Sequence, residues 1–522
     1  MTPLAAFAMM LGIVPSSEKR AALLPYATLF AVAAVVRLVV AYLFLGSVDI
    51  VNDTVDSARM LDGSLLSARV PYLPGIHLLL WIGGKLAVRS SLPVAFCYKV
   101  FPCLFDSVIA VLIAGNAGGT RALPRLRLGY LYAFAPVPVI ITALHGQWDA
   151  VFLYFLILSF VLLRIGTRRG DAFAGAAFVL SVVVKPVAAP LLLFLFSAPW
   201  LLFGRRRDRD ACSRTVTLIV AMAATTAAYL LLLLSMHTRL GAEEVHAIVS
   251  YAQHGVQLMG FRMFGGLPRS IGLLSLAVLL PAYWSGRLSR ERGVLLFFAF
   301  VMGLCGSAPQ YLCWIVPFAI LSVDLPFAAT YNFVCGITLL LYYQSPGTLG
   351  RNIENLGTYA PLRRFAWLAP SMTSLSAKSE IVFYSGDVII PLMTIAFFAL
   401  ALLYVARGRI VSPPPAAPQL RVAGISLLAV TLVLAACCVW AKLQPRMTGD
   451  ELTQRIRTRI ETEYWCVRFQ ESNPLNPMGP VWLLPSYTNP STAACANAFT
   501  IGFSWTLVWT AAALAMPRTR NA

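Results

Sequence analysis

The stretch GYLYAFAPVPVIITALHGQWDAVFLYFLILSFVLLR, residues 129–164, decides the fold. It consists of two apolar segments joined by one short polar turn, HGQWDA, and it ends in an arginine. Apolar segments of this kind are typical of helices that cross a membrane, and arginines mark the cytoplasmic ends of such helices. The stretch therefore predicts two membrane helices, with residues 145–150 as a turn on the side away from the cytoplasm.

The rest of the chain repeats this pattern of apolar runs and arginine clusters. Of its 522 residues, 59% are hydrophobic and 12% are charged, whereas a soluble domain carries about 25% charged residues. We predict an all-α polytopic membrane protein with about twelve to fourteen transmembrane helices and both termini in the cytoplasm. A large first extracytoplasmic loop would follow the first helix.

The formal net charge of +19 indicates a membrane partner rather than a nucleic acid. The arginines lie in short loops between apolar runs, which is the positive-inside pattern, and anionic lipid headgroups are their natural partners. We therefore expect membrane lipids as partners and no nucleic acid. The alanine- and arginine-rich composition favours a bacterial inner membrane, with the endoplasmic reticulum membrane as the alternative.

The predicted topology divides the chain into four regions. These are a transmembrane module (1–345), further helices with an outer loop and a proline-rich cytoplasmic linker (346–441), a small extracytoplasmic segment (442–498), and a last helix with a cytoplasmic tail (499–522). Cys466 and Cys495 both fall outside the cytoplasm in this topology. They either form a disulfide or stay as two free thiols, and the sequence does not decide between these alternatives.

Two segments depart from simple membrane crossing. Residues 76–88 form a short apolar run that carries Lys85, and we predict a helix that lies in the membrane interface. Lys185 and Pro186 interrupt the apolar run 171–203. Because proline cannot continue a helix, we predict two short helices that meet at Lys185.

Three acids in the first outer loop are candidates for catalysis and binding. Asp49 and Asp53 are spaced i,i+4, so on a helix they would share one face, and Asp56 follows. A carboxylate just outside the membrane can act as a general base toward a hydroxyl group. The alternative is that these acids are only the solvated start of a helix.

The HGQWDA turn concentrates four side chains that suit sugar binding, namely His145, Gln147, Trp148 and Asp149. An indole offers a ring face to sugar C–H groups, and the other three offer donors and acceptors for hydroxyl groups. The alternatives are that Trp148 is an interfacial belt residue and that His145 and Asp149 cap helices.

Cations and a second aromatic segment complete the set of candidates. Lys185 in its apolar run would either extend toward the interface or bind an anion such as a lipid phosphate. Arg262 in a later outer loop is a further cation of this kind. Gln310 and Tyr311 are placed at the outer rim by the same topology.

In their order along the chain, these motifs resemble the polytopic C-type (GT-C) glycosyltransferases. The likeness is to the GPI-mannosyltransferase-related, polyprenyl-phosphate-mannose-dependent branch, and it covers roughly residues 24–325. It rests on the acidic first outer loop, VPYLPGIHLLLW (70–81), HGQWDA, the Lys185-Pro186 break and PQYLCWIVP (309–317).

The resemblance implies an inverting glycosyltransferase. It would move a hexose, with mannose as the family default, from a polyprenyl or dolichyl monophosphate to a hydroxyl of a glycan or lipid acceptor on the extracytoplasmic face. Asp49 or Asp53 would be the general base, and Lys185 would lie near the donor phosphate. The sugar pocket would be shaped by three residues of the turn: His145, Gln147 and Asp149. The resemblance implies no cofactor and no protein-bound metal, with a divalent cation as the alternative that some relatives use.

Two other functions remain as alternatives. A flippase or transporter of lipid-linked sugars would show paired half-repeats and charges near the bilayer midplane, and the sequence shows no duplication. An enzyme that resembles O-antigen ligases would use arginines of a late outer loop, such as Arg363 and Arg364. A nucleotide-sugar donor is not expected, because the sequence has no P-loop and no dinucleotide fingerprint.

Overall fold

The computed structural model describes residues 17–43, 50, 76–116, 125–196, 209–237, 269–305, 309–344, 467–469, 480–482 and 490–516, with isolated positions between 436 and 459. This part of the chain is predominantly helical. Two short strands, β1 (Val467–Phe469) and β2 (Pro480–Trp482), pair antiparallel, with Val467 opposite Trp482.

The helices follow one another in the order of the predicted apolar runs. The first are α1 (Ser17–Leu43), α2 (His77–Arg89), α3 (Val94–Asn116), α4 (Arg125–Ala133) and α5 (Pro136–Val139), which continues as a π-helix, Ile140–His145. Next come α6 (Asp149–Leu163), α7 (Arg168–Val184), a 3₁₀-helix (Pro186–Leu195), α8 (Arg209–His237), α9 (Arg269–Trp284) and α10 (Arg290–Cys305). A second 3₁₀-helix (Pro309–Trp314), α11 (Ile315–Leu321), α12 (Leu325–Gln344) and α13 (Pro490–Ala515) complete them.

Length and composition qualify a few of these helices as membrane spans. Within the described residues, the three that qualify are Leu24–Leu43, Val94–Asn116 and Cys212–Leu231, and α4 with the Pro136–His145 segment makes a fourth if that bent pair is one span. Other apolar helices have 10–17 residues. The chain thus has apolar helices of the kind that membranes accommodate, while the larger number of crossings stays a prediction.

Helix α6 forms the centre of the bundle. Its sequence is apolar on every side, and all of its residues except Phe155 are buried. It packs against α3 on one side and α7 on another. A helix that is hydrophobic all round belongs in the interior of a structure, so this environment agrees with its sequence. Helix α6 has 15 residues and is therefore about 22 Å long. A cluster of polar residues lies at each end of α6, so this length separates the two clusters.

The end of α6 that carries Arg164 is fastened by ion pairs. Arg164 pairs with Glu291 at 2.6 Å, and Arg292 donates to both oxygens of Asp324 at 3.2 and 2.9 Å. Burial alone would raise the pKa of Glu291, but the Arg164 and Arg290 guanidiniums outweigh it and lower the pKa. These pairs hold α6, α10 and the start of α12 together at this end.

Helix α7 ends where the sequence predicts a break. Lys185 has an extended backbone, with φ −148° and ψ 110°, and the 3₁₀-helix begins at Pro186. Ser181 Oγ of α7 donates to the carbonyl of Phe152 in α6 over 3.0 Å, which keeps the two helices in register. As a result, the chain after α7 returns to the beginning of α6.

Among the described residues, helix α8 contacts the bundle along one flank. It packs on α7, where Gly175 allows a close approach: a Cβ atom there would lie 2.7 Å from the Leu218 carbonyl oxygen. The opposite flank is apolar and open, with Val220 59% and Leu231 66% exposed. Only 6% of the apolar window Cys212–Leu231 is buried by other parts of the chain.

Helix α2 packs on the core of the bundle. It forms over the predicted run 76–88, Leu80 and Ile82 belong to the main core, and Lys85 is 7% exposed. Its position in a membrane interface stays a prediction. Arg459 donates to the carbonyls of Ala87, Ser90 and Leu92 at the end of α2, the last two over 2.9 and 2.6 Å. The late segment that carries Arg459 therefore holds this helix against the bundle.

Candidate functional site

The HGQWDA turn is built on a left-handed glycine. The π-helix ends at His145, and Gly146 adopts φ 89° and ψ 28°. The amides of Gly146 and Gln147 both donate to the carbonyl of Ile141 over 3.1 Å. A Cβ atom at Gly146 would lie 2.5 Å from Ile50 Cγ1 and 3.0 Å from Lys99 Cε, so only glycine fits between these two side chains.

Asp149 joins three segments of the chain. It is the first residue of α6 and is 1% exposed. Its Oδ1 accepts a hydrogen bond from Lys185 Nζ at 2.6 Å and a second, short one from Trp314 Nε1. Its Oδ2 is buried and has no hydrogen-bond partner among the described residues. The carboxylate therefore keeps unused capacity as an acceptor.

The Lys185 ammonium lies among aromatic rings as well as beside a carboxylate. Its Nζ is 5.0 Å from the ring centre of Tyr311, 5.2 Å from that of Trp314 and 5.8 Å from that of Phe152. The rings of Tyr311 and Trp314 are 4.3 Å apart and inclined by 31°. Ring faces attract cations at such distances, so the rings add to the attraction of Asp149. Lys185 is thus charge-paired, which its apolar run in the sequence did not predict.

The remaining side chains of the turn are also buried. His145 and Gln147 are 1% and 2% exposed, and their Nε2 atoms lie 2.9 Å apart, with the donor set by the histidine tautomer. Trp148 is 1% exposed, so the interfacial-belt interpretation does not fit this residue. Asp149 lies at the N-terminal end of α6, as the capping alternative supposed, but its side chain bonds Lys185 and Trp314 instead.

The structure brings several sequence-predicted residues together. Lys185 and Tyr311 meet Asp149 at one end of α6, and Gln310 is partly exposed beside them, its carbonyl accepting from Cys313 Sγ at 3.1 Å. Four predicted site residues lie outside the described residues: Asp49, Asp53, Asp56 and Arg262. The arginines of the alternative ligase-like function, Arg363 and Arg364, lie outside them too. Ile50, which follows Asp49 in the chain, is fully buried against Gly146.

A group of buried charges lies behind this turn, and it was not predicted from the sequence. Arg37 pairs with Asp106 at 2.6 Å, Tyr132 Oη donates to the same carboxylate at 2.5 Å, and Lys99 Nζ donates to the carbonyl of Leu144 at 2.7 Å. Arg37 and Lys99 are both 0% exposed. The signal was present in the sequence, because each charge interrupts an apolar run, and charges inside membrane helices commonly have a function.

The described part of this site presents a partly exposed ammonium group, Lys185, beside a partly exposed ring, Tyr311, and these suit a ligand with an anionic group and C–H faces. Among the described residues, no three His, Cys, Asp or Glu side chains come together as a metal-binding group. Comparison of the chain with protein-family models, curated proteins and solved structures found no match.

Proposed function

We propose that the chain is an inverting glycosyltransferase that moves a hexose from a polyprenyl monophosphate to an acceptor hydroxyl on the extracytoplasmic face of a membrane. The supporting observation is the group formed by Asp149, Lys185, Tyr311 and Trp314. This group lies at the opposite end of α6 from the Arg164 ion pair. Arginines typically mark cytoplasmic ends, so the proposal assigns this group to the side where a lipid-linked donor would be used.

The chemistry of this group suits the two parts of such a donor. The ring of Tyr311 is partly exposed and can face sugar C–H groups, while the buried Trp314 and Asp149 support Tyr311 and Lys185 from behind. An ammonium carries three N–H donors, of which Lys185 gives one to Asp149. The others can donate to phosphate oxygens, and this would stabilise the charge that develops on the leaving phosphate.

The transfer step needs a base, and the acids of the first outer loop supply it in this proposal. Asp49 or Asp53 takes the proton of the acceptor hydroxyl while that oxygen forms a bond with the anomeric carbon. The bond between the anomeric carbon and the phosphate oxygen breaks, and the polyprenyl phosphate leaves with its electron pair. The packing of Ile50 on Gly146 supports this arrangement, because it joins the first loop to the HGQWDA turn.

The test uses membranes from cells that express the chain, with polyprenyl-phospho-[³H]mannose as donor and separate assays with other hexoses. We expect transfer by the wild type, its loss in D49N or D53N, and normal transfer in E451Q. Glu451 serves as the control because its pair with Arg455 is exposed and distant in sequence from the first loop. Full transfer by both D49N and D53N would exclude the mechanism.

A specific observation also favours the flippase alternative. Asp106 lies near the middle of the apolar helix α3, and Arg37 and Tyr132 reach it from α1 and α4. Charged groups at mid-helix are typical of transport proteins. Proteoliposomes that contain a fluorescent polyprenyl-phosphate sugar distinguish the two functions: a flippase moves the lipid between leaflets without an acceptor, whereas a transferase consumes it only when an acceptor is added.

A further inference from the structure

The helix that leads into the HGQWDA turn is broken. Helix α4 and the Pro136–His145 segment meet at an angle of 44°. Pro136 and Pro138 have no backbone N–H, and α5 turns into a π-helix before the turn begins. Backbone groups freed at such breaks must find other partners when water is excluded.

The first freed group is the carbonyl of Ala133, the last residue of α4. In a continuous α-helix it would accept from the amide of Val137. Instead it accepts from Arg37 Nη1 at 2.8 Å, and the Val137 amide donates to Asn332 Oδ1 at 3.4 Å. Arg37 is itself held by Asp106 at 2.6 Å. Side chains of α1 and α12 thus satisfy the two sides of the break.

The second group is the carbonyl of Leu144, in the last turn of the π-helix. Lys99 Nζ of α3 donates to it over 2.7 Å. The same side chain runs beside the turn, since a Cβ atom at Gly146 would lie 3.0 Å from Lys99 Cε. Cations at the C-terminal end of a helix bond its last carbonyls and interact favourably with its dipole.

We propose that Lys99 is a positioning residue for the HGQWDA turn, and that Arg37 fixes the break before it. Both cations stand at the carbonyl ends of the two halves of one broken helix, and both are fully buried. Lys99 sets where the turn begins and therefore where Asp149 stands relative to Lys185. The placement of the turn follows from geometry alone, while its importance for sugar transfer rests on the proposed function.

Hydrogen–deuterium exchange of the full-length protein in nanodiscs tests this role. We compare a peptide that covers residues 141–148 with one from α6, in wild type, K99M, K99R and S107A. Ser107 is the control, because it is buried on the same helix and, among the described residues, its Oγ donates to the Cys103 carbonyl of that helix alone. The variant K99Q is added because it is neutral but keeps a polar end, in case K99M does not fold.

The expected result is faster exchange in the 141–148 peptide of K99M, on the order of tenfold, which corresponds to the loss of one charge-assisted hydrogen bond. K99R restores the protection, and the α6 peptide and S107A stay at the wild-type rate. Unchanged exchange in K99M and K99Q would overturn the proposal. So would an equal rise in all peptides of both variants, since Lys99 would then support the whole bundle and not the turn.

The exchange result and the transfer assay can fail separately. If the wild type transfers no sugar but K99M loosens residues 141–148, the positioning role stands and the proposed function falls. If the wild type transfers sugar, K99M should lower kcat more than it raises KM, and K99R should recover kcat. Transfer by K99M at the wild-type kcat, with a loosened turn, would show that the placement of the turn does not serve catalysis.

Discussion

Lys185 Nζ and Asp149 Oδ1 lie 2.6 Å apart, although 36 residues separate them in the chain. The two partners differ in their access to solvent, because the side chain of Lys185 is 18% exposed and that of Asp149 only 1%. Trp314 donates to the same carboxylate oxygen. One acidic side chain thus joins α6, the break after α7 and the second 3₁₀-helix.

We predict that K185M destabilises the protein more than D149N does. K185M leaves a buried carboxylate without its cation, at a cost of roughly 3 kcal/mol. D149N leaves Lys185 able to reach solvent, and an asparagine Oδ1 can still accept from Trp314. Thermal unfolding in nanodiscs measures both. The double variant should lose less stability than the sum of the two single losses, and additive losses would contradict a coupled pair.

We predict that G146A costs more stability than G286A. Both glycines have positive φ, 89° and 74°, so alanine is strained at either position. Only at Gly146 does the added methyl group also meet Ile50 and Lys99, whereas nothing lies within 4 Å at Gly286. The expected losses are roughly 3 kcal/mol for G146A and about 1 kcal/mol for G286A, from unfolding curves. Equal losses of unfolding free energy in the two variants would show that the Ile50 side chain can move aside at little cost.

We predict that stability decreases as pH rises from 4 to 6, through Asp324. Burial raises the pKa of Asp324 from 3.8 to about 6, although its bonds with Arg292 act in the opposite direction. Between these two pKa values the folded state holds the proton more tightly than the unfolded state, so raising the pH removes stability. Above pH 6 this contribution is constant.

The measurement for Asp324 is the melting temperature against pH for wild type and D324N. The difference between the two curves should change between pH 4 and 6 and be flat above that range. D171N is the matched control, because Asp171 also forms a bidentate ion pair with an arginine: Arg214 donates to its two carboxylate oxygens at 2.7 and 3.1 Å. A flat difference across the whole range would contradict the raised pKa.

We predict that R459M exposes the end of α2 to proteases. Arg459 donates to three carbonyls that follow or end this helix, at Ala87, Ser90 and Leu92. Without those bonds, cleavage near residues 89–92 should become faster by on the order of tenfold. R455M is the control, since Arg455 is 53% exposed and its ion pair within the described residues is with Glu451, one turn away. Equal cleavage rates in both variants would contradict the protection of the end of α2 by the hydrogen bonds of Arg459.

Local backbone chemistry made part of the fold predictable. The apolar runs predicted the positions of the described helices, and the Lys185-Pro186 pair predicted the end of α7, because proline lacks the N–H that a helix needs. The same rule applied to Pro136 and Pro138 would have divided the first apolar segment of the stretch 129–164, which the structure breaks between α4 and α5.

The partners of the polar side chains were not predictable, because they depend on which helices become neighbours. No pattern in the sequence pairs Lys185 with Asp149 rather than with a ligand. Arg37, Asp106 and Lys99 were visible as charges in apolar runs, and treating them as a group would have indicated the buried cluster. The roles of Asp49 and Asp53 stay predictions, since both lie outside the described residues.

The open flank of α8 has a practical consequence for purified samples. Because so little of Cys212–Leu231 is covered by the rest of the chain, whatever amphiphile surrounds the particle supplies most of that helix's environment. Apolar helices respond to the thickness of the surrounding hydrocarbon by tilting. The acyl length of the chosen lipid or detergent should therefore influence how far α8 tilts where α7 does not hold it, and preparations in different amphiphiles should be compared at matched thickness.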